Sequence, residues 1–335
     1  MTDFPVVDLP PGRSPVVHSA MGAAIDDWTR SLALRALVTA FGGTLPIGHL
    51  SHRLAWLDDF SLVWDTRNGG ERYESRRVDH GQDIRDLVDQ VALSLGLRGR
   101  HRPGRRCYRH VLVAGGGVRT CVARSLFAAD IISGGVVADQ VSGLGSLRPI
   151  ADKERDHARD LGLTGIEIEF DGMDAGLRRA FRHAQPVRDQ LAPGGGFSGW
   201  RVRTYRAGSR TIHTLAAPST EPATRRANTA DTLEFWAEQV GRPEPGDHVL
   251  LVTTDLHVPF QHCDALRTLT LRYGCGVDTV GLEPQSLADP HLRHVYPTSA
   301  VLQEVRSAVR SMRALYEALP AVSSMASRNA SERCL

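Results

Sequence analysis

Lysine is almost missing from this chain: Lys153 is the only one, and the remaining fixed positive charge is arginine. Cysteine is sparse as well. Cys107, Cys121, Cys263, Cys275 and Cys334 form no CxxC pair and no zinc-type spacing, which excludes a disulfide framework and a cysteine-built metal site. No run approaches the roughly 18 apolar residues needed to span a bilayer, and the Pro-rich opening MTDFPVVDLPPGRSPVV has no apolar core. A net charge of +2 excludes a broad electrostatic footprint for nucleic acid or membrane. These absences predict a cytoplasmic protein with reduced thiols, no membrane partner and no nucleic-acid partner.

What is present is arginine, 41% hydrophobic residues, and enough length for one large domain with an appendage. Residues 1–17 read as an extended lead-in. The spacing of Met21, Ile25, Trp28, Leu32, Leu34 and Leu37 predicts one amphipathic helix from His18 to about Phe41, stopped by Gly42-Gly43. Leu54–Trp64 carries two tryptophans among apolar residues, residues 65–80 read as a polar loop, and Asp83–Leu97 as a helix. A basic linker, GLRGRHRPGRRCYRH, follows. Residues 1–107 are expected to form a helical appendage or lid.

From His110 the pattern changes. HVLVAGGG followed by VRTCVARSLFAADIISGG reads as strand, glycine turn and helix. ADQVSGLGSLRPI, TIHTLAAPS, HVLLVTT and VDTVGLEP read as further strands and IEIEF as a strand or edge segment, with helical segments between them and a closing helix in SAVLQEVRSAVRSMRALYEALP. The expected fold is α/β: a Rossmann-like, doubly wound, mostly parallel sheet over 108–320, with an N-terminal helical appendage and a disordered tail over 321–335.

In such a sheet ligands bind at the carboxyl ends of the strands, where helix N-termini present free N–H groups. Three predicted strand ends carry suitable residues. In AGGGVRTCVAR, Gly116 and Gly117 allow close backbone approach, and Arg119 and Arg124 add positive charge; the run is neither a dinucleotide fingerprint nor a P-loop. In APSTEPATRRANTADT, Ser219, Arg225, Arg226, Asn228 and Thr229 converge on a helix start capped by Asn228 or Thr229. In VTTDLHVPFQHCDALR, Thr253 and Thr254 offer hydroxyls, and His257 and Asp255 the parts of a general base with its orienter. The glycine turn also admits an ordinary tight turn, the paired arginines ordinary capping, and His257 a buried loop-stabilising histidine.

VLVAGGG (111–117), RANTADT (226–232) and LLVTTDLHVPFQHCDALR (250–267) together resemble the YdcF/SanA/ElyC-like family, over roughly residues 108–285. With WDTRNGGER (64–72), GSLRPI (145–150) and FDGMDAGLRRAF (170–181), the layout resembles an actinobacterial cytoplasmic branch. The resemblance implies a Rossmann-like sheet, a polar pocket formed by these loops and, in some members, S-adenosylmethionine binding. Pro259-Phe260-Gln261 departs from it, since an arginine often follows the proline.

The functional expectation is a small-molecule enzyme of specialised-metabolite biosynthesis, a lyase or transferase. It acts on a substrate bearing phosphate, sulfate or carboxylate, by elimination or displacement of that anion, with no cofactor required. The alternative is a module that binds S-adenosylmethionine or a nucleotide, against which stands the lack of an acidic residue in VSGLGSLRPI. An acidic carrier protein docking on the arginine-rich 98–109 linker is a third expectation, compatible with the first.

Overall fold

A computed structural model describes residues 4–66, 78–182 and 185–320. The tail over 321–335 and most of WDTRNGGER lie outside the described residues.

The N-terminal region supplies α1 (His18–Arg30), α2 (Leu32–Ala40), α3 (Leu50–Phe60) and α4 (Gln82–Ser94). The single helix expected over 18–41 is two helices, because Ser31 adopts an extended ψ of 148° and its hydroxyl accepts the Leu34 N–H at 3.2 Å. That is an N-cap, and it starts a new helix on a new axis.

The remainder alternates in chain order. It runs β1 (Cys107–Val113), α5 (Val118–Ser133), β2 (Val137–Gly145), α6 (Asp152–Asp160), α7 (Glu169–Phe181), β3 (Arg188–Ala192), β4 (Trp200–Ala207) and β5 (Arg210–Ala216). Then come α8 (Thr229–Phe235), β6 (His248–Thr254), α9 (Val258–Ala265), α10 (Leu271–Tyr273), β7 (Gly276–Leu282) and α11 (Thr298–Ala318). The seven strands lie in the order β3-β4-β5-β2-β1-β6-β7. The five from β5 to β7 are parallel, and β4 is antiparallel to both its neighbours. The protein thus has a mixed α/β fold with a mostly parallel sheet and N-terminal helices, compatible with a Rossmann-like fold.

From β1 the chain moves outward through β2 to β5, returns, and moves the other way through β6 to β7. Its direction reverses beside β1, so the β1/β6 boundary is the topological switch point, where doubly wound sheets open a crevice.

Two details depart from the sequence pattern. IEIEF is not a strand: the segment makes only an isolated bridge between Pro149 and Ile168, and Glu169 already opens α7. Asp171 Oδ2 accepts the Ile168 N–H at 3.1 Å, fixing the helix start there. The edge strand β3 and its neighbour β4 carry no clear apolar alternation, because arginines interrupt it; Arg201 and Arg203 reach across the hairpin to Asp189.

Each face of the sheet is covered. Val111, Val113 and Val141 pack with Met173 and Leu177 of α7 on one side. On the other, Leu112, Val249 and Leu251 join α9 and α11, and the same apolar cluster runs on into Trp28, Leu34, Leu57 and Val91 of the N-terminal helices. Trp28 Nε1 also donates to the Leu95 carbonyl at 3.1 Å. The N-terminal helices are therefore built into the core of the sheet rather than standing apart as a lid. Burial of a single large apolar side chain contributes about 1.5–3 kcal/mol, so this packing is a main source of stability. Among the described residues, no helix is long and apolar enough to cross a membrane.

Candidate functional site

A cleft of about 910 Å³ opens at the carboxyl ends of β1, β2 and β6. It is lined by the turn Ala114–Gly117, the segment Gly145–Glu154, and the start of α8, with Phe260 and Gln261 of α9 on the other side. No described residue before Ala114 lines it. The 98–109 linker leads into the amino end of β1, the opposite end of that strand.

The glycine turn is placed as the strand–turn–helix pattern demands, and Gly116, Gly117 and Arg119 line the cleft. Its Gly116 N–H, however, is taken by one of the protein's own carboxylates. Gly116 N–H donates to Glu169 Oε1 at 2.9 Å, and the Val118 N–H at the start of α5 favours the charge on Glu154. Gly115 must be glycine, since a Cβ there would overlap the Leu144 carbonyl oxygen and Glu169 Oε1. Arg148 lies between the two glutamates, with Nη1 and Nη2 on Glu154 at 2.7 and 2.8 Å and Nε on Glu169 at 3.3 Å. Ser146 Oγ donates to Glu169 Oε2 at 2.8 Å. Burial opposes the charge on both acids. It prevails at Glu169, whose carboxyl is held above the ordinary range. At Glu154, Arg148 and the Ala151 N–H outweigh it and hold the carboxyl below that range.

Arg124, expected to bind ligand, does not line the cleft. It is buried, donating Nε to Thr254 Oγ1 at 3.0 Å and Nη1 to the Ala114 carbonyl at 2.9 Å and to the Gly115 carbonyl. Its fork ties the turn after β1 to the end of β6. Thr254 is thereby also structural, and Thr253 is fully buried.

Of the second loop, Arg225, Arg226, Asn228 and Thr229 line the cleft, while Ser219 lies off it with its hydroxyl accepting the Glu221 N–H at 3.0 Å. Asn228 is the cap of α8: its side chain accepts the Asp231 N–H at 3.0 Å, and Asp231 returns the bond to the Asn228 N–H at 2.9 Å. Arg225 is committed to Asp231 and Glu221 at 2.5 and 2.8 Å, and its neighbour Arg226 is half-buried on the same stretch of the lining.

The third loop is not in the cleft. Asp255 is 5% exposed and accepts its neighbour Leu256's N–H at 2.7 Å, and burial pushes its carboxyl up to about 6. His257 is 2% exposed, 3.6 Å from Glu304 Oε2 and packed against Phe260 and Tyr296. The expected general base and its orienter are interior groups here, because β6 ends inside the helical layer formed by α9 and α11.

The cleft has another charged feature that the strand-end search passes over. Arg119 Nη2 donates to His294 Nδ1 at 3.0 Å, which leaves the proton of a neutral His294 on Nε2. Lys153 and His157 of α6 line the same wall. Burial lowers both histidines, His294 to about 4, and in each case Arg119 and Lys153 depress the charged form further. Among the described residues neither Arg119 nor Lys153 is paired with a carboxylate. Over the whole lining there are five fixed cations, Arg119, Arg148, Lys153, Arg225 and Arg226, against Glu154 and Glu169. In the sequence, one signal marks this wall: the sole lysine, in KERDHARD. Glu169 carries none, lying in a segment that reads as a strand. Among the described residues, no group of three or more histidine, cysteine or acidic side chains is placed to hold a metal ion.

Comparison with known proteins places the chain elsewhere than the YdcF/SanA/ElyC resemblance did. Residues 13–96 match the family described as the Rv3785 N-terminal domain, a stretch from which that resemblance drew WDTRNGGER alone. The uncharacterized protein Rv3785 of Mycobacterium tuberculosis (strain H37Rv) is 34% identical over 96% of both chains. The uncharacterized protein Mb3814 of Mycobacterium bovis gives the same figures. No solved structure matches. The features behind the earlier resemblance, a glycine turn, a capped middle helix and a polar loop before a proline, follow from the doubly wound layout itself and do not discriminate between families built on it. The full-length match does discriminate, and the chain belongs to the Rv3785 family.

Proposed function

We propose that the protein is an enzyme acting on a small organic anion, with the anionic group seated against Arg119 and Lys153 and within reach of Arg226. The observation that carries this reading is the like-charged wall of the cleft. Arg119, Lys153 and His157 line it and His294 is bonded to Arg119; burial first, and the two cations after it, disfavour the charged form of both histidines. A phosphate, sulfate or carboxylate would relieve that repulsion, and guanidinium and ammonium groups are the usual partners of such anions. Free, buried thiols at Cys121 and Cys263 suit the reducing cytoplasm.

The same wall suggests the chemistry. Charge that grows on a leaving anion during elimination or displacement would be stabilised by Arg119 and Lys153, already in place and partly shielded from water. His157, neutral at physiological pH and lining the cleft, replaces His257 and Asp255 as the group to move a proton. No cofactor is needed for such a step.

Titration calorimetry with inorganic phosphate and sulfate tests the binding half. Wild-type protein should bind one of them, and Arg119→Ala and Lys153→Ala should each weaken it by about tenfold, the value of one charge-assisted contact. Unchanged affinity in both variants would remove the basis of the reading.

A further inference from the structure

The two glutamates in the cleft look alike in sequence and share Arg148, but their bonding is not equivalent. A carboxylate offers about four acceptor positions. Glu154 has three within bonding distance, Arg148 Nη1 and the Ala151 N–H on Oε2 and Arg148 Nη2 on Oε1, and the Val118 N–H favours its charge from the remaining side. It is a clamp that ties α6 to α5. Glu169 has three donors: Ser146 and Arg148 on Oε2, and the Gly116 N–H alone on Oε1. One acceptor position on Oε1 is left over on a side chain that lines the cleft. The turn is shaped around that oxygen, since a Cβ on Gly115 would collide with it.

A second acceptor lines the cleft from the other face of the sheet. Gln261 of α9 is 7% exposed, and its Oε1 has no hydrogen-bond partner among the described residues. A buried acceptor left without a donor costs about 1–3 kcal/mol, so a ligand that brings donors to these positions gains more than its anion alone provides. Neither acceptor can serve a phosphate, sulfate or carboxylate oxygen, which is itself an acceptor. Both suit a hydroxyl.

We propose that Glu169 is the hydroxyl-binding group of this cleft, and that the substrate is a hydroxylated organic anion whose hydroxyl donates to Glu169 Oε1. This rests on the anion reading given above and deepens it: the cationic wall holds the charged end, and Glu169 reads the carbon skeleton beside it. Gln261 supplies a second position for a hydroxyl on the same skeleton.

Glycerol 3-phosphate and n-propyl phosphate share a phosphate and a three-carbon chain and differ in hydroxyls, so their affinity ratio isolates this contact. Wild-type protein should bind glycerol 3-phosphate at least about tenfold tighter. In Glu169→Gln, where one oxygen becomes a donor, the ratio should fall to within about twofold of unity, whatever the change in affinity common to both esters. Should Glu169→Gln misfold, Glu169→Asp, which withdraws the carboxylate by one methylene, should lower the ratio in the same direction. A wild-type ratio near one overturns the proposal with no variant needed, as does a full ratio in a folded Glu169 variant. Failure of wild-type protein to bind inorganic phosphate and both esters takes away the anion reading and this one with it; binding of phosphate without a hydroxyl preference defeats this one alone.

Discussion

The loop after β6 and the segment after β2 make an instructive pair. Thr253–His257 is rich in side chains that can do chemistry, and it is interior: Thr253, Asp255 and His257 are all buried, away from the cleft. Ser146–Glu169 shows little in sequence beyond a helix of alternating charge, yet Ser146, Arg148, Lys153, Glu154, His157 and Glu169 all face the cleft. Residue type says what a side chain could do, and the layer above each strand end decides whether it meets a ligand. Above β6 that layer is the packed pair α9 and α11, whereas above β2 it is the exposed helix α6, which buries only Ala158.

That contrast can be broken by substitutions that read stability and anion binding separately. The largest effect is expected at Arg124→Ala, which strands two carbonyls and the Thr254 hydroxyl in the interior. Chemical denaturation should show a loss of about 3–5 kcal/mol. A nearly unchanged midpoint with lost phosphate binding would return Arg124 to the site.

Asp255→Asn comes next, with the opposite sign. Burial pushes the Asp255 carboxyl up to about 6, so the native state keeps its proton across a range in which the unfolded chain, near 3.9, has lost it. Stability from this group is present below about pH 4 and is lost as pH rises through 6. Asn keeps the acceptor for the Leu256 N–H and carries no charge. The variant should exceed wild type by about 2–3 kcal/mol above pH 7 and converge with it below pH 4, without altering phosphate affinity. An aspartate kept for proton transfer would instead show lost turnover once a substrate is in hand.

Arg119→Ala should disturb the fold least. Its side chain bonds to His294 at the cleft wall, so stability should stay within about 0.5–1 kcal/mol of wild type even as anion affinity falls. A collapse in melting temperature at Arg119 with little change at Arg124 would reverse the assignment of the two arginines.

Much of the fold was legible because short apolar runs bounded by glycine or polar turn residues announce parallel strands, and β1, β2, β5, β6 and β7 all fall where such runs lie. The arginine-interrupted hairpin of β3 and β4 gave no such run. The position of the cleft followed from the strand-end rule, and Gly116, Gly117, Arg119, Arg225, Arg226, Asn228 and Thr229 do line it. Glu154 and Glu169 were not legible, since the bond of Glu169 to the glycine turn spans 53 residues of chain and the placement of both depends on α6 and α7 folding back over it. Nor was the retreat of Asp255 and His257 into the interior, because the helix that covers them, α11, begins some 40 residues later.

The cationic wall itself can be read through His294, which sits against Arg119. By proton NMR across a pH series, His294 should titrate near 4 in the free protein, and saturating phosphate should raise that midpoint by about one pH unit or more, because an anion beside Arg119 and Lys153 offsets the charge that depresses it. An unchanged His294 midpoint under saturating phosphate would show that the anion binds elsewhere, and would contradict the placement of the site against Arg119 and Lys153.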